Sequence, residues 1–194
     1  MGRPVDLNTI MAALDVPARP SSDYDLNPGV VLPEGRKLRP AAVLIGVLDD
    51  HVILTKRAST LKHHPGQIAF PGGKVDGDET IVQAALREAH EEVGLAPETV
   101  SILAELPPHE TVTSYSVTPV LARIEHDFEP VVEPGEVAEC FRVPLPFLMD
   151  PTNYAVEGRR WRGMRREFFT VPYGPYYIWG ATARILKSLA DRVA

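Results

Sequence analysis

Residues 73–95 read GKVDGDETIVQAALREAHEEVGL, and this stretch decides how the rest of the chain is understood. Its composition predicts a helix from about Glu79 to Val93, stopped by Gly94. Glu88 and Glu92 are four residues apart and Glu88 and Glu91 three apart, so a helix puts all three carboxylates on one face. About a hundred degrees away, Val82, Leu86, Ala89 and Val93 form an apolar stripe for burial. Three like charges so close repel by a few tenths of a kcal/mol per pair, and a hard divalent cation removes that repulsion. Carboxylate oxygens suit Mg²⁺ or Mn²⁺. The bland alternative is a solvated acidic helix face. Upstream, Phe70-Pro71-Gly72-Gly73 places Pro and Gly as a type II turn wants them, and glycine lets backbone approach a ligand closely. Asp76, Asp78 and Glu79 lie near the helix start, where the dipole favours negative charge.

Around this helix the pattern is mainly strand. Ala41 to Leu48 is a continuous apolar run suited to a buried strand, and Asp49-Asp50 leads into a return strand from His51 to Lys56. Further strands are expected over Gln67–Phe70, Val100–Leu106, Val112–Ile124 and Glu139–Val143, with a last helix over Ala181–Val193 carrying Ile185, Leu186, Leu189 and Val193. A short helix over Thr9–Leu14, capped by Asn8, precedes a stretch rich in proline. The expected organisation is an N-terminal helix and proline-rich extension over residues 1–40 and one α/β domain over residues 41–194.

With 194 residues and 44% hydrophobic content, the chain can bury a core and is not a disordered one. No stretch approaches the ~20 apolar residues of a membrane span. The single cysteine, Cys140, forms no internal disulfide and reads as a structural thiol. With no basic-apolar leader pattern at the N-terminus either, the expected location is cytoplasmic. A net charge of −6 argues against general coating of nucleic acid.

Gly73, Glu79, Arg87, Glu88, Glu91, Glu92 and Gly94, with Ala89 and Leu95 at apolar positions, resemble the Nudix box, G-x5-E-x7-R-E-U-x-E-E-x-G-U. Every fixed position is matched. The resemblance implies an α/β/α sandwich with a mixed sheet, the box helix and a C-terminal helix. It also implies hydrolysis of a nucleoside diphosphate linked to another moiety. Carried over, Glu88, Glu91 and Glu92 would hold the metal, with the backbone carbonyl of Gly72 as a further ligand, and Arg87 would orient the carboxylates through ion pairing with Glu79. The segment from Leu54 to Gly73 is also similar to the upstream signature of the coenzyme A diphosphatase branch. It carries Thr55, Arg57, Leu61, His64, Gly66, Phe70, Pro71 and Gly72, and departs from the signature at Ile53 and Ala58. The run Tyr177–Ala183 resembles that branch's C-terminal segment. The implied reaction is metal-dependent cleavage of coenzyme A or its derivatives to 3′,5′-ADP and 4′-phosphopantetheine or its acyl form. Other nucleoside diphosphate substrates (ADP-ribose, NADH, capped RNA) and a regulator that binds without turnover are the alternatives.

Lys56, Arg57, Lys62, His63 and His64 make a cationic stretch that suits a multiply phosphorylated substrate. Arg57, Lys62, His64 and Gly73 are the candidate substrate contacts; a basic surface loop balancing the acidic helix is the other reading. For the general base, family members draw on a loop well after the box, and here Glu136 is preferred over Glu139. Residues 154–171 read as a hairpin around Gly163 with Arg159, Arg160, Arg162, Arg165 and Arg166, where Trp161 could stack a base. That hairpin is either a contact for adenine or a 3′-phosphate, or a solvated edge. The expected partner is a small molecule, with no membrane and either one or two copies of the chain.

Overall fold

The computed structural model describes residues 5–161 and 163–194. Arg162 and the side chain of Trp161, for which base stacking and a solvated edge are the two sequence expectations, lie outside the described residues.

The chain begins with α1 (Leu7–Ala13) and a two-residue strand β1 (Ser21–Ser22). The cap of α1 is Asp6 rather than Asn8, because the Asp6 carboxylate accepts from the Thr9 amide at 2.8 Å and starts the helix earlier. The expected hairpin follows as β2 (Arg39–Leu48) and β3 (His51–Arg57). Asp49 and Asp50 both adopt positive φ, the geometry that matches a two-residue turn to the strands' twist.

After β4 (Ile68–Ala69) comes β5 (Gly72–Lys74), which the sequence did not announce, and then α2 (Ile81–Val93). Helix α2 starts two residues later than expected. Thr80 and Gln83 close a reciprocal capping box, and Glu79 is left outside the helix. β6 (Val100–Glu105) and β7 (His109–Glu110) lead to β8 (Tyr115–Ile124). The strand expected to run unbroken from Val112 is interrupted by a turn at residues 111–114, with Ser114 at positive φ, so β7 and β8 fold back on each other instead. β9 (Val137–Pro144), α3 (Leu145–Leu148), the hairpin β10 (Ala155–Trp161) and β11 (Met164–Thr170), and α4 (Gly180–Val193) complete the fold.

Nine strands form one mixed sheet along the order β1-β7-β8-β2-β3-β4, with β5 on β2, β6 on β8 and β9 on β3. β2 and β8 run parallel, and β2 and the Pro119–Ala122 stretch of β8 read as apolar runs because both faces of the sheet are covered there. Ala42, Leu44, Ile53, Val120 and Ala122 pack against Ala84, Ala85, Ala89 and Val93 of α2. Ile45, Val47, Val52, Leu54 and Leu121 pack on the opposite side against Ile185, Leu186 and Leu189 of α4 and Leu7 and Ile10 of α1. This is the expected α/β/α sandwich. The N-terminal residues join it: Ile10 is fully buried in the α4-side core, and β1 pairs with β7.

One irregularity positions the site. β3 pairs with β2 only at Val52 and His51, then turns to β9 and β4, and β5 takes the vacated edge of β2 opposite Ala41–Val43. The sheet therefore splays at one end. Gly72 and Gly73 stand on one lip of the splay and Arg57 on the other. Among the described residues, no helix is long and apolar enough to cross a membrane.

Candidate active site

The box helix buries Ala89 and Val93 of the expected stripe, but the stripe is rotated away from Leu86 toward Ala84, Ala85 and Glu92. Ala84, Ala85, Ala89, Glu92 and Val93 are buried, while Leu86 is only partly so and Val82 packs at the margin. The carboxylate face thus overlaps the core face rather than adjoining it. Small alanines let α2 press closely on β2, β5 and β8, and this carries the inward carboxylates into the splay.

Glu92 goes deepest, with 4% of its surface exposed. Its Oε2 accepts from the Gly72 amide at 3.1 Å. Desolvation pushes its carboxyl up to about 7, with the Glu88 and Glu136 charges adding to the effect and Arg57 opposing it. Glu88 is half-buried and also raised, chiefly by desolvation, against the pull of Arg87. Glu91 points outward and is mostly exposed.

Arg87 organises this cluster. Its Nε and Nη2 fork onto the two Glu79 oxygens at 2.7 and 3.1 Å, and Nη1 donates to Glu88 and to Glu91, each at 3.0 Å. Nη2 also donates to the Lys74 carbonyl at 3.1 Å, which clamps the loop before α2 onto the helix. The planar guanidinium with its five donors is the side chain suited to such a fork.

The two glycines have separate reasons. A Cβ on Gly73 would lie 2.3 Å from Glu88 Oε1, so only glycine admits the carboxylate. A Cβ on Gly72 would lie 2.4 Å from the Ala42 carbonyl oxygen, a backbone atom that cannot give way.

The neighbouring loops complete the surroundings. Arg57, at the end of β3, and Glu136, in the loop before β9, are both close enough to act on Glu92 electrostatically. Ala58, one of the two departures from the upstream signature, is buried, and its amide donates to the Glu136 carbonyl at 2.8 Å. That bond ties the loop carrying Glu136 to the lip carrying Arg57. A link between residues so far apart in sequence had no local signal. Glu139 lies elsewhere: it shares the α4 face with Lys56, Leu54 and Phe141, and it accepts from the Tyr176 hydroxyl. His64 holds a positive φ on the lip, and its imidazole titrates below its usual range from desolvation and the charges of Arg57 and His63. Lys62 is exposed on the same loop. Cys140 faces the α2 side, and desolvation pushes its thiol up to about 11, as an unreactive structural thiol requires.

The donor set fits a hard divalent ion. It offers two inward carboxylates of raised pKa in a cradle that a Cβ would fill, with a third carboxylate on the adjoining turn. Among the described residues no three such groups already converge as a finished cage. Arg87 and the Gly72 amide occupy the oxygens instead.

Residues 37–161 match the NUDIX domain family. The uncharacterized Nudix hydrolase NudL of Enterobacter sp. (strain 638) is 43% identical over 159 residues, which cover 80% of this chain and 83% of that protein. NudL of Escherichia coli (strain SMS-3-5 / SECEC), also described as uncharacterized, is 40% identical over the same shares. Among solved structures, the MutT protein from Methanosarcina mazei Go1 shares the fold with a TM-score of 0.51 at 17% identity, covering 82% of this chain and 97% of that one. With the family model spanning well over half of its length and NudL proteins at about 40% identity, this chain belongs to the Nudix hydrolases.

Proposed function

We propose that this Nudix hydrolase cleaves the diphosphate of coenzyme A or its derivatives in the presence of Mg²⁺ or Mn²⁺, giving 3′,5′-ADP and 4′-phosphopantetheine or its acyl form. The observation that carries the reading is that Arg57, from the segment resembling the coenzyme A branch, pairs with Val137 beside Glu136 and acts electrostatically on Glu92, while Glu136 acts on both Glu88 and Glu92.

Glu88, Glu91, Glu92 and the Gly72 carbonyl would hold the divalent ion, which supplies charge neutralisation at the diphosphate and a more acidic water. Arg57, Lys62 and His64 bind and orient the phosphates from the opposite lip. Arg87 keeps the carboxylates aimed by holding Glu79 and bridging Glu88 to Glu91. Glu136 takes the proton of the attacking water, whose oxygen joins one phosphorus as the anhydride oxygen leaves with the other. The bond between Ala58 and the Glu136 backbone keeps base and substrate lip in register.

The test is a substrate panel with products identified by mass spectrometry. Coenzyme A and its thioesters are cleaved with Mg²⁺ or Mn²⁺ and left whole in chelator. Cleavage of ADP-ribose or NADH with coenzyme A untouched would refute the substrate while sparing the family.

A further inference from the structure

The β10–β11 hairpin belongs to no part of the main sheet. Its base is well held. The rings of Phe168 and Trp179 lie 5.2 Å apart, the Tyr177 hydroxyl donates to Glu157 at 2.7 Å, and the Asn27 side chain bonds both the amide and the carbonyl of Glu167 at 2.9 Å. Toward the tip the register sets Arg159 opposite Arg166 and Arg160 opposite Arg165. Like charges directly opposed across a ladder are destabilising. Arg159, Arg160 and Arg165 are exposed, and Gly158 leaves room for Arg165, whose Nε would sit 2.7 Å from a Cβ there. A hairpin that only had to stay solvated would gain from alternating signs. Among the described residues, four arginines against two glutamates, on a chain of net charge −6, instead gather positive potential toward the hairpin tip.

The hairpin stands at the site's end of the molecule. The Arg166 guanidinium lies 5.7 Å over the Tyr24 ring, and Arg36 lies 5.5 Å from the same ring. Asp23, next to Tyr24, is hydrogen-bonded to His109 at 3.0 Å and acts electrostatically on His64 of the substrate lip. The first turn of α4, which packs on β11, is tied to the other side of that lip by the Thr182 hydroxyl bonding the Ile68 carbonyl at 3.1 Å. The pair Arg159–Arg166 lies on the hairpin face that carries Glu157 and Phe168 toward Tyr177 and Trp179. The lip therefore has the carboxylate helix on one side of the sheet and the arginine arm on the other.

We propose that this arm is a second anion station, in which the exposed Arg159, backed across the ladder by the half-buried Arg166, grips a phosphomonoester on the nucleotide half of the substrate, apart from the diphosphate that is cleaved, while Arg160 and Arg165 on the opposite face add to the positive potential. A dianionic phosphate offers two charges and several acceptors, which suits paired guanidinium forks. It also removes the cross-strand repulsion that the free hairpin carries. The proposal rests on the coenzyme A reading only for the carrier of that phosphate, the 3′-phosphate of the adenosine half.

The experiment compares the full-length protein with an Arg159→Gln/Arg160→Gln variant, both positions being exposed and free of core packing. Calorimetry measures binding of 3′,5′-ADP against 5′-AMP, and kinetics measure kcat/KM for coenzyme A against 3′-dephospho-coenzyme A. The wild type prefers the ligand with the extra phosphate in both measurements, and the variant loses about tenfold or more of that preference. An unchanged preference ratio overturns the proposal, as does equal loss on both ligands of a pair. Tight salt-sensitive binding of a generic RNA oligonucleotide, with no preference between the two small ligands, overturns it in favour of a nucleic-acid arm. If the protein cleaves no coenzyme A but still binds 3′,5′-ADP through these arginines, the arm stands and the substrate reading falls. Cleavage of coenzyme A with no preference has the opposite meaning.

Discussion

On α2, Glu88, Glu91 and Glu92 crowd into little more than one turn, and on the β10–β11 hairpin four arginines face each other in two cross-strand pairs. Both regions hold like charges together, but they manage the conflict differently. In the helix, Arg87 pairs with Glu88 and Glu91, and Glu92, the most deeply buried, responds to burial by binding its proton more tightly. In the hairpin Arg159, Arg160 and Arg165 reach into water, where screening weakens the repulsion, and Arg166 lies half-buried over the Tyr24 ring. Burial therefore sets the scale. A buried like-charged cluster stores a large local cost that a bound cation can discharge, and an exposed one stores little.

That difference orders the expected effects of relieving each cluster. The largest belongs to Glu92→Gln. Losing an inward carboxylate lowers turnover by more than the ~100-fold typical of supporting residues around a metal. The same change stabilises the metal-free protein. The folded carboxyl of Glu92 titrates at about 7, above the ~4.3 of an unfolded glutamate, so its charged form is disfavoured in the fold. Its penalty is absent at low pH, grows as pH rises through that window and is complete above it. In chelator the variant should be more stable than the wild type at pH 8, by up to about 4 kcal/mol, and the gap should close near pH 4. A melting difference independent of pH would show that burial is not what raises this group.

Gly73→Ala is expected to come next. Its Cβ displaces the Glu88 carboxylate, which can swing away, so the cost falls on activity more than on folding. A loss of about 10–100-fold in kcat/KM with a small change in Tm is expected; near-wild-type activity would mean that Glu88 need not lie against Gly73. The smallest effect belongs to the hairpin. Arg165→Glu turns the pair with Arg160 into an attractive one and should slow amide exchange in β10 and β11 by the equivalent of about 0.2–1 kcal/mol. Faster exchange there would show that the Arg165–Glu167 contact, at 3.6 Å, outweighs the cross-strand repulsion.

Much of the fold was legible because its signals are local. The two-residue break at Asp49-Asp50, the stop at Gly94 and the apolar stripe of α4 are fixed by neighbours a few positions away. The strand β5 was not legible, since Gly-Gly-Lys has no strand propensity and pairs only because β3 vacates the edge of β2. The burial of α2 was misplaced for a related reason. Hydropathy favours Leu86 and disfavours Glu92, but close packing against the sheet selects the alanine face and carries Glu92 inward with it.

The sequence alone determined the identity and spacing of the acidic trio, the glycine step before it and the presence of a basic segment ahead of the box, because helical periodicity and turn chemistry act over a handful of residues. The tertiary structure alone decided that Glu92 is buried while Glu91 is not, that Glu136 acts on the Glu92 carboxylate while Glu139 bonds Tyr176, and that the Arg166 guanidinium lies over the Tyr24 ring from the N-terminal segment. Each of those depends on contacts between residues far apart in the chain. Desolvation and register, which set such contacts, exist only once the sheet has formed and both of its faces are covered.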